Sequence, residues 1–164
     1  MGQHHSASPK DILDRILQSA TIDRDGLRIS LWAGFYTGPV FAEIESKYGL
    51  LRDENNILFC LANYGQLTAK SICDFTGRPK NSISRAVERL LQKKLIRRRM
   101  DKIDRRKGLL NIEPDGRKLH DETQELFLQR EAFMLKNLTP TERKALDQIM
   151  TKLMNDAEDW ICAF

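Results

Sequence analysis

Apolar residues recur along this chain at the three- and four-residue spacings of helices that bury one side. Ile12, Leu13, Ile16 and Leu17 define a first helix over about Pro9–Ala20. A second covers about Leu27–Tyr48. Inside it the Gly38-Pro39 pair predicts an interruption and a kink, because proline removes a helical N–H and crowds the preceding turn. Gly49 is placed to end that helix. Ile57, Leu58, Leu61 and Ala62 mark a third helix over Asp53–Asn63, after which Asn-Tyr-Gly-Gln turns the chain. Thr68 is the cap of a short helix over about Ala69–Phe75. A Thr-Gly-Arg turn and Pro79, suited to a first helical turn, lead to a stripe of Ile83, Ala86, Val87, Leu90 and Leu91. Then the period changes. Ile96–Met100 and Leu109–Ile112 read as two short strands around a polar loop, Asp101–Gly108. A long helix follows over about Asp115–Leu138, with Leu119, Leu126, Phe127 and Met134 along one side. The last helix opens on Thr139-Pro140-Thr141-Glu142, a capping box, and carries Ala145, Leu146, Ile149 and Leu153 as its stripe.

Composition adds little until charge is placed along the chain. With 164 residues, 41% apolar and 30% charged, this is ordinary globular material around one core. The net charge is only +4, yet residues 78–107 hold 13 of the 27 Lys and Arg and three of the 23 Asp and Glu. That segment carries +10 and the remainder −6. A basic patch on an acidic body points to a localised polyanion as partner. The patch begins on a helix joined to its predecessor by a tight Gly-containing turn, the helix-turn-helix arrangement. With its apolar stripe buried, this helix must turn Asn81, Ser82, Arg85, Glu88, Arg89 and Gln92 outward. One helix fits the major groove of B-DNA, where amide, hydroxyl and guanidinium groups read base edges.

The order of elements resembles the MarR family of bacterial winged helix-turn-helix regulators over about Leu27–Met154. The likeness is densest in LTAKSICDFTGRPKNSISRAVERLLQKKLIRR and DKIDRRKGLLNIEPDGRKL, and returns in LTPTERKALDQIM. The wing pattern of Asp-x-Arg, apolar residues and a late glycine falls on Asp104, Arg106, Leu109, Leu110, Ile112 and Gly116. The resemblance implies a mainly α fold with a small two-stranded β wing, and long dimerisation helices at both ends. Residues 1–8 would be a disordered tail, 51–113 the DNA-binding lobe, and 9–50 and 114–164 the dimerisation helices. It also implies a sequence-specific transcriptional regulator, more often a repressor, acting as a homodimer on double-stranded DNA with an inverted repeat. Asn81, Ser82 and Arg85 would meet bases, and Lys80, Ser84 and Arg89 phosphates, with Glu88 steadying Arg85 or Arg89. In the wing, Arg106 would enter the minor groove with Asp104 orienting it, while Arg105, Lys102 and Lys107 attract phosphate.

Two positions depart from the family pattern. Lys94 stands where many relatives have glycine, and a lysine forced to positive φ is strained, so the helix end there could differ. Glu113 replaces the usual Thr cap, leaving Asp115 to take over the capping. The family typically responds to small aromatic or anionic molecules held between dimer helices and DNA-binding lobe. Trp32, Phe35 and Tyr36, at i, i+3, i+4, are the candidate effector-binding residues, although such a cluster also suits a core or an interface. Cys60 and Cys73 lie on apolar stripes and read as small core residues, which leaves Cys162 for the alternative of a thiol-based redox-sensing regulator. The three cysteines form no C-x-x-C pair, so neither a disulfide framework nor zinc is implied. His4 and His5 read as solvated. No nucleophile–base pair, metal cluster or phosphate loop suggests an enzyme, and no cofactor or metal is expected. Without a membrane-length apolar run or a signal-peptide core, a cytoplasmic location is expected. The rival from another class is a winged-helix protein-interaction module, which has no need of basic groove-facing residues.

Overall fold

The computed structural model describes residues 9–18, 24–100 and 108–157. Among the described residues, seven helices and three strands follow in the order α1 (Pro9–Gln18), α2 (Arg24–Tyr48), α3 (Arg52–Tyr64), β1 (Leu67–Thr68), α4 (Ala69–Thr76), α5 (Lys80–Gln92), β2 (Ile96–Met100), β3 (Gly108–Ile112), α6 (Pro114–Met134) and α7 (Pro140–Asn155). The core lies where α3, α4 and α5 meet the sheet and the last turns of α2. Ile44, Leu50, Ile57, Leu58, Ile72, Ile83, Leu90 and Leu110 are fully enclosed there. All but Leu50 and Leu110 come from helical stripes of the kind the sequence displays.

The sheet has three antiparallel strands rather than two, in the order β1-β3-β2. β2 and β3 pair from Ile96↔Ile112 to Met100↔Gly108, and β1 adds Leu67↔Leu110 and Thr68↔Leu109 on the far side of β3. Two residues are too few to display an alternating pattern. β1 is a strand because β3, more than 40 positions later, supplies its partners.

Helix α2 is not interrupted at Gly38-Pro39 but runs continuously through Pro39. Proline has no N–H for the carbonyl of Phe35 four residues earlier. That carbonyl instead accepts from Arg130 Nη2 of α6 at 2.9 Å. A distant side chain therefore satisfies the acceptor that proline left open. Gly49 ends α2 at φ +60°, as its position suggested.

Helix α6 stops at Met134, four residues short of the expected Leu138. Leu135–Asn137 form a turn in which Leu138 N–H bonds the Leu135 carbonyl at 3.0 Å, and Arg143 donates to the same carbonyl at 2.7 Å. The apolar spacing continues across the turn because Leu135 and Leu138 stay half-buried. The α7 capping box is present: Thr139 N–H donates to Glu142 Oε2 at 2.8 Å, and Glu142 N–H to Thr139 Oγ1 at 3.3 Å. Helix α1 is described as far as Gln18, so the expected continuation to Ala20 lies outside the described residues.

Between α5 and β2 the chain turns tightly. Leu95 N–H reaches the Leu90 carbonyl and Lys94 N–H the Leu91 carbonyl, each at 3.0 Å. This double closure of a helix end needs a left-handed residue, and Lys94 takes that role at φ 57°. The helix end thus keeps the geometry that glycine would serve, with lysine in the glycine's place. Helix α6 then starts directly on this turn. Its N-cap is Glu113, not Asp115, and no side-chain capping bond is made. Glu113 N–H donates instead to the Leu95 carbonyl at 2.9 Å, and its carboxylate pairs with Arg97 at 3.0 Å. Gly116 presses so closely that a Cβ there would stand 2.1 Å from the Leu95 oxygen.

Candidate nucleic-acid interface

Helix α5 packs Ile83, Ala86, Val87 and Leu90 inward. The opposite side leaves Lys80, Asn81, Ser84 and Arg85 exposed together along its first two turns. These four are open to an incoming partner.

Ser82 and Arg89 are placed differently. Ser82 Oγ donates to Asp53 Oδ2, and Arg89 Nε donates to Glu54 Oε1. Both acids stand in the first turn of α3 and are buried, at 7% and 0% exposure. Arg78, just before α5, grips Asp53 with two nitrogens at 2.6 and 3.3 Å. Lys93, just after α5, donates to Glu54 Oε2 and to the Gly49 carbonyl, each at 2.9 Å. The N–H of Leu51 adds a bond to Glu54 at 3.2 Å.

Burial works to raise the pKa of both acids. The hydrogen bonds from Arg78 and Ser82 on Asp53, and from Arg89 and Lys93 on Glu54, outweigh it and hold both below the ordinary carboxylate range. The same pairing, with Asp53 foremost, raises the Arg78 guanidinium further. These acids carried no role in the sequence reading. A signal was nonetheless present: one turn back from Ile57 and Leu58, the apolar stripe of α3 passes through Asp53 and Glu54.

Glu88 holds neither Arg85 nor Arg89. It pairs with Arg98 of β2 at 3.0 Å, tying the wing to the middle of α5. The strands bring the chain to Met100 and back at Gly108, directly opposite each other. Asp104, Arg105 and Arg106, with Lys102 and Lys107, lie between them and outside the described residues.

Trp32, Phe35 and Tyr36 of α2 border one shallow hollow of about 300 Å³ with Arg130 and Phe133 of α6. Trp32 and Tyr36 also face a larger cavity of about 540 Å³, closed by Ile29, Glu131, Met134 and Met150. Tyr36 further borders a third cavity of about 310 Å³ between α2, α3 and α6. Its hydroxyl donates to the Phe127 carbonyl at 3.4 Å, and burial, then Glu131, raises its pKa. Phe35 is half in solvent, at 51% exposure. Cys60 sits in the core with its thiol pushed up to about 11 by burial, which leaves little reactive thiolate. Cys73 is half-buried, and Cys162 lies outside the described residues. Among the described residues no helix is long and apolar enough to cross a membrane, and no His/Cys/Asp/Glu group of three or more could hold a metal ion.

Residues 48–107 match the sequence model of the MarR family, a span from the end of α2 through the wing loop. The chain is 25% identical over 114 residues to YwaE, an HTH-type transcriptional regulator of Bacillus subtilis (strain 168), covering 70% of this chain and 67% of that protein. A MarR-family regulator from Listeria monocytogenes, solved in complex with a 26mer DNA, superimposes with a TM-score of 0.73 at 22% identity. That match covers 87% of this chain and 93% of the other. BpsR of Bordetella bronchiseptica, whose DNA binding is regulated by 6-hydroxynicotinic acid, superimposes with a TM-score of 0.61 at 23% identity over 77% and 98% of the two chains. At these identities the structural likeness establishes the winged-helix fold.

Proposed function

Because residues 48–107 match the sequence model of the MarR family, we propose that this chain is a MarR-type winged helix-turn-helix regulator, a sequence-specific DNA-binding transcriptional repressor released by a small organic effector. One observation carries the reading. Helix α5 buries Ile83, Ala86, Val87 and Leu90 of its apolar stripe and leaves Lys80, Asn81, Ser84 and Arg85 exposed on the side a major groove would meet. Asn81 and Arg85 supply base-edge donors, while Lys80 and Ser84 supply phosphate contacts. In the wing, Asp104, Arg105 and Arg106 form the second contact, with Arg106 in the minor groove. Residues 51–113 make up the DNA-binding lobe, and 9–50 with 114–164 the dimerisation helices. The exposed apolar side of α7, with Ile149 at 56% and Met154 at 66%, supports pairing of two copies. The effector seat includes Trp32, Phe35 and Tyr36, and the regulation of BpsR by an aromatic acid supports a small aromatic ligand here.

The test begins with selection from random duplexes. It should return an inverted repeat with half-sites about 10 bp apart, because two recognition helices must enter successive major grooves on one face of the DNA. Binding should weaken steeply with salt as counterions are recaptured. Arg85→Ala should lower operator affinity by about 1–3 kcal/mol and random-duplex affinity much less. Arg106→Ala should weaken operator binding while the base preference under α5 stays intact. A failure to select any palindrome, together with binding insensitive to salt, would favour a protein-interaction module instead.

A further inference from the structure

Two adjacent carboxylates on the buried side of a helix call for a physical reason. Apolar residues at Asp53 and Glu54 would continue the stripe of Ile57 and Leu58, and replacing buried ion pairs by apolar side chains is often neutral or stabilising. Packing alone therefore does not account for them. What they touch is specific. Asp53 receives Arg78 and Ser82, which flank the start of α5, and Glu54 receives Arg89 and Lys93, at its end. Neighbouring residues of one α3 turn thus hold both ends of a 13-residue helix, a rod about 20 Å long.

Apolar contact is non-directional, so the stripe of Ile83, Ala86, Val87 and Leu90 fixes the depth of α5 better than its rotation about its own axis. Ion pairs with hydrogen-bond geometry do fix rotation, and at two points they also fix tilt. Reading a base edge depends on both, because a bidentate contact tolerates little displacement.

We propose that Asp53 and Glu54 are positioning residues for DNA recognition: they set the rotation and tilt of α5, with Ser82 and Arg89 acting inward as their partners while Asn81 and Arg85 face the bases. The proposal rests on the reading of α5 as the recognition helix. It separates two roles that one helix face would otherwise merge. A residue that touches phosphate contributes to every duplex equally, whereas a residue that orients α5 contributes only where bases are read.

The experiment uses the full chain and measures affinity for the selected operator and for a random duplex at one salt concentration, with salt slope and thermal stability alongside. Glu54→Gln and Asp53→Asn keep shape and remove charge. Each should lower operator affinity about tenfold, the scale of one lost bidentate contact, and leave random-duplex affinity and salt slope unchanged. Should these two fail to fold, Ser82→Ala and Lys93→Met leave each carboxylate one basic partner and should move the same ratio in the same direction. Ser82→Thr, which retains the hydroxyl, should restore it. If Glu54 acted only as a negative charge near DNA, Glu54→Gln would raise affinity for both duplexes in parallel, and that result would overturn the proposal. So would an Arg89→Ala variant that loses affinity equally on both duplexes with a salt slope shallower by about one, the mark of a phosphate contact. A wild-type chain indifferent to sequence would remove the reading of α5 itself. A selective wild type with an equally selective Glu54→Gln would remove only the positioning role.

Discussion

Helices α3, α4 and α5 each bury side chains of their own, whereas α7 buries none along its 16 residues. Both regions are amphipathic, and α4 and α7 each open on a threonine whose side chain caps the helix. They differ in whether the apolar side finds a cover within the chain. In the lobe, helices from several directions and a sheet close over one core. Helix α7 lays only Leu146 and Met150 half-buried against its own chain and leaves Ile149 and Met154 to solvent. An amphipathic pattern therefore states that something must be covered, without stating by what. The lobe answers that demand internally, and α7 leaves it to a second copy in the arrangement proposed above.

The largest effect should come from breaking the lobe where it is tightest. Gly116→Ala places a methyl group against the Leu95 carbonyl, a backbone atom that cannot swing aside. A loss of about 3 kcal/mol in unfolding free energy is expected, in the upper range for overpacking, and chemical denaturation measures it. The converse substitution is Ile149→Ala in α7. It should leave the lobe folded but weaken self-association by roughly tenfold or more, as burying such a side chain at an interface contributes about 1.5–3 kcal/mol. Sedimentation across a dilution series checks this. If Ile149→Ala instead lowers unfolding stability at a concentration where the chain is monomeric, the contrast between the two regions fails.

A third test uses pH. His120 of α6 is buried against the ring edge of Phe59, 6.1 Å away. Burial, opposed by Asp121 and aided by Arg117, holds its imidazole below the ordinary value of 6.5. The folded chain therefore binds this proton less readily than the unfolded chain. The stabilisation linked to neutral His120 is complete above pH 6.5 and shrinks as pH falls below it. Asp53 and Glu54, with lowered pKa values, lose their contribution only further down, below the ordinary carboxylate values of 3.8 and 4.5. Melting temperature against pH should show two separate declines, and His120→Gln should erase the upper one. The smallest effect is expected from Lys94→Gly, which relieves a left-handed lysine and should raise stability by about 1 kcal/mol. A calorimetric rise of roughly 3 °C would register it.

What could be read from sequence divides along the distance between partners. The stripe of α5, the Thr68 cap and the Thr139–Glu142 box depend on residues within one or two turns, and each stands where its spacing places it. Strand β1 depends on Leu109 and Leu110, and the continuity of α2 through Pro39 has Arg130 of α6 at its open carbonyl. No local rule reaches that far. The candidate site shows the same division. Exposure of Lys80, Asn81, Ser84 and Arg85 follows from helical period alone. The inward pull on Ser82 and Arg89 comes from acids 29 and 35 positions earlier in the chain. Two carboxylates on an apolar stripe were the one local sign that such partners had to exist.

Strand β2 has one more consequence, for behaviour in crowded solution. It lies at the edge of the sheet, bonded to β3 on one side only. An open edge of unpaired N–H and C=O groups is a template on which another copy could extend the sheet. Arg97, Arg98 and Arg99 occupy three consecutive positions along that edge, all exposed. Arg97 and Arg98 are held in ion pairs with Glu113 and Glu88, and a row of long charged side chains along a strand blunts its edge. The basic segment proposed above to meet a polyanion thus also guards the open edge of the sheet against pairing with another copy.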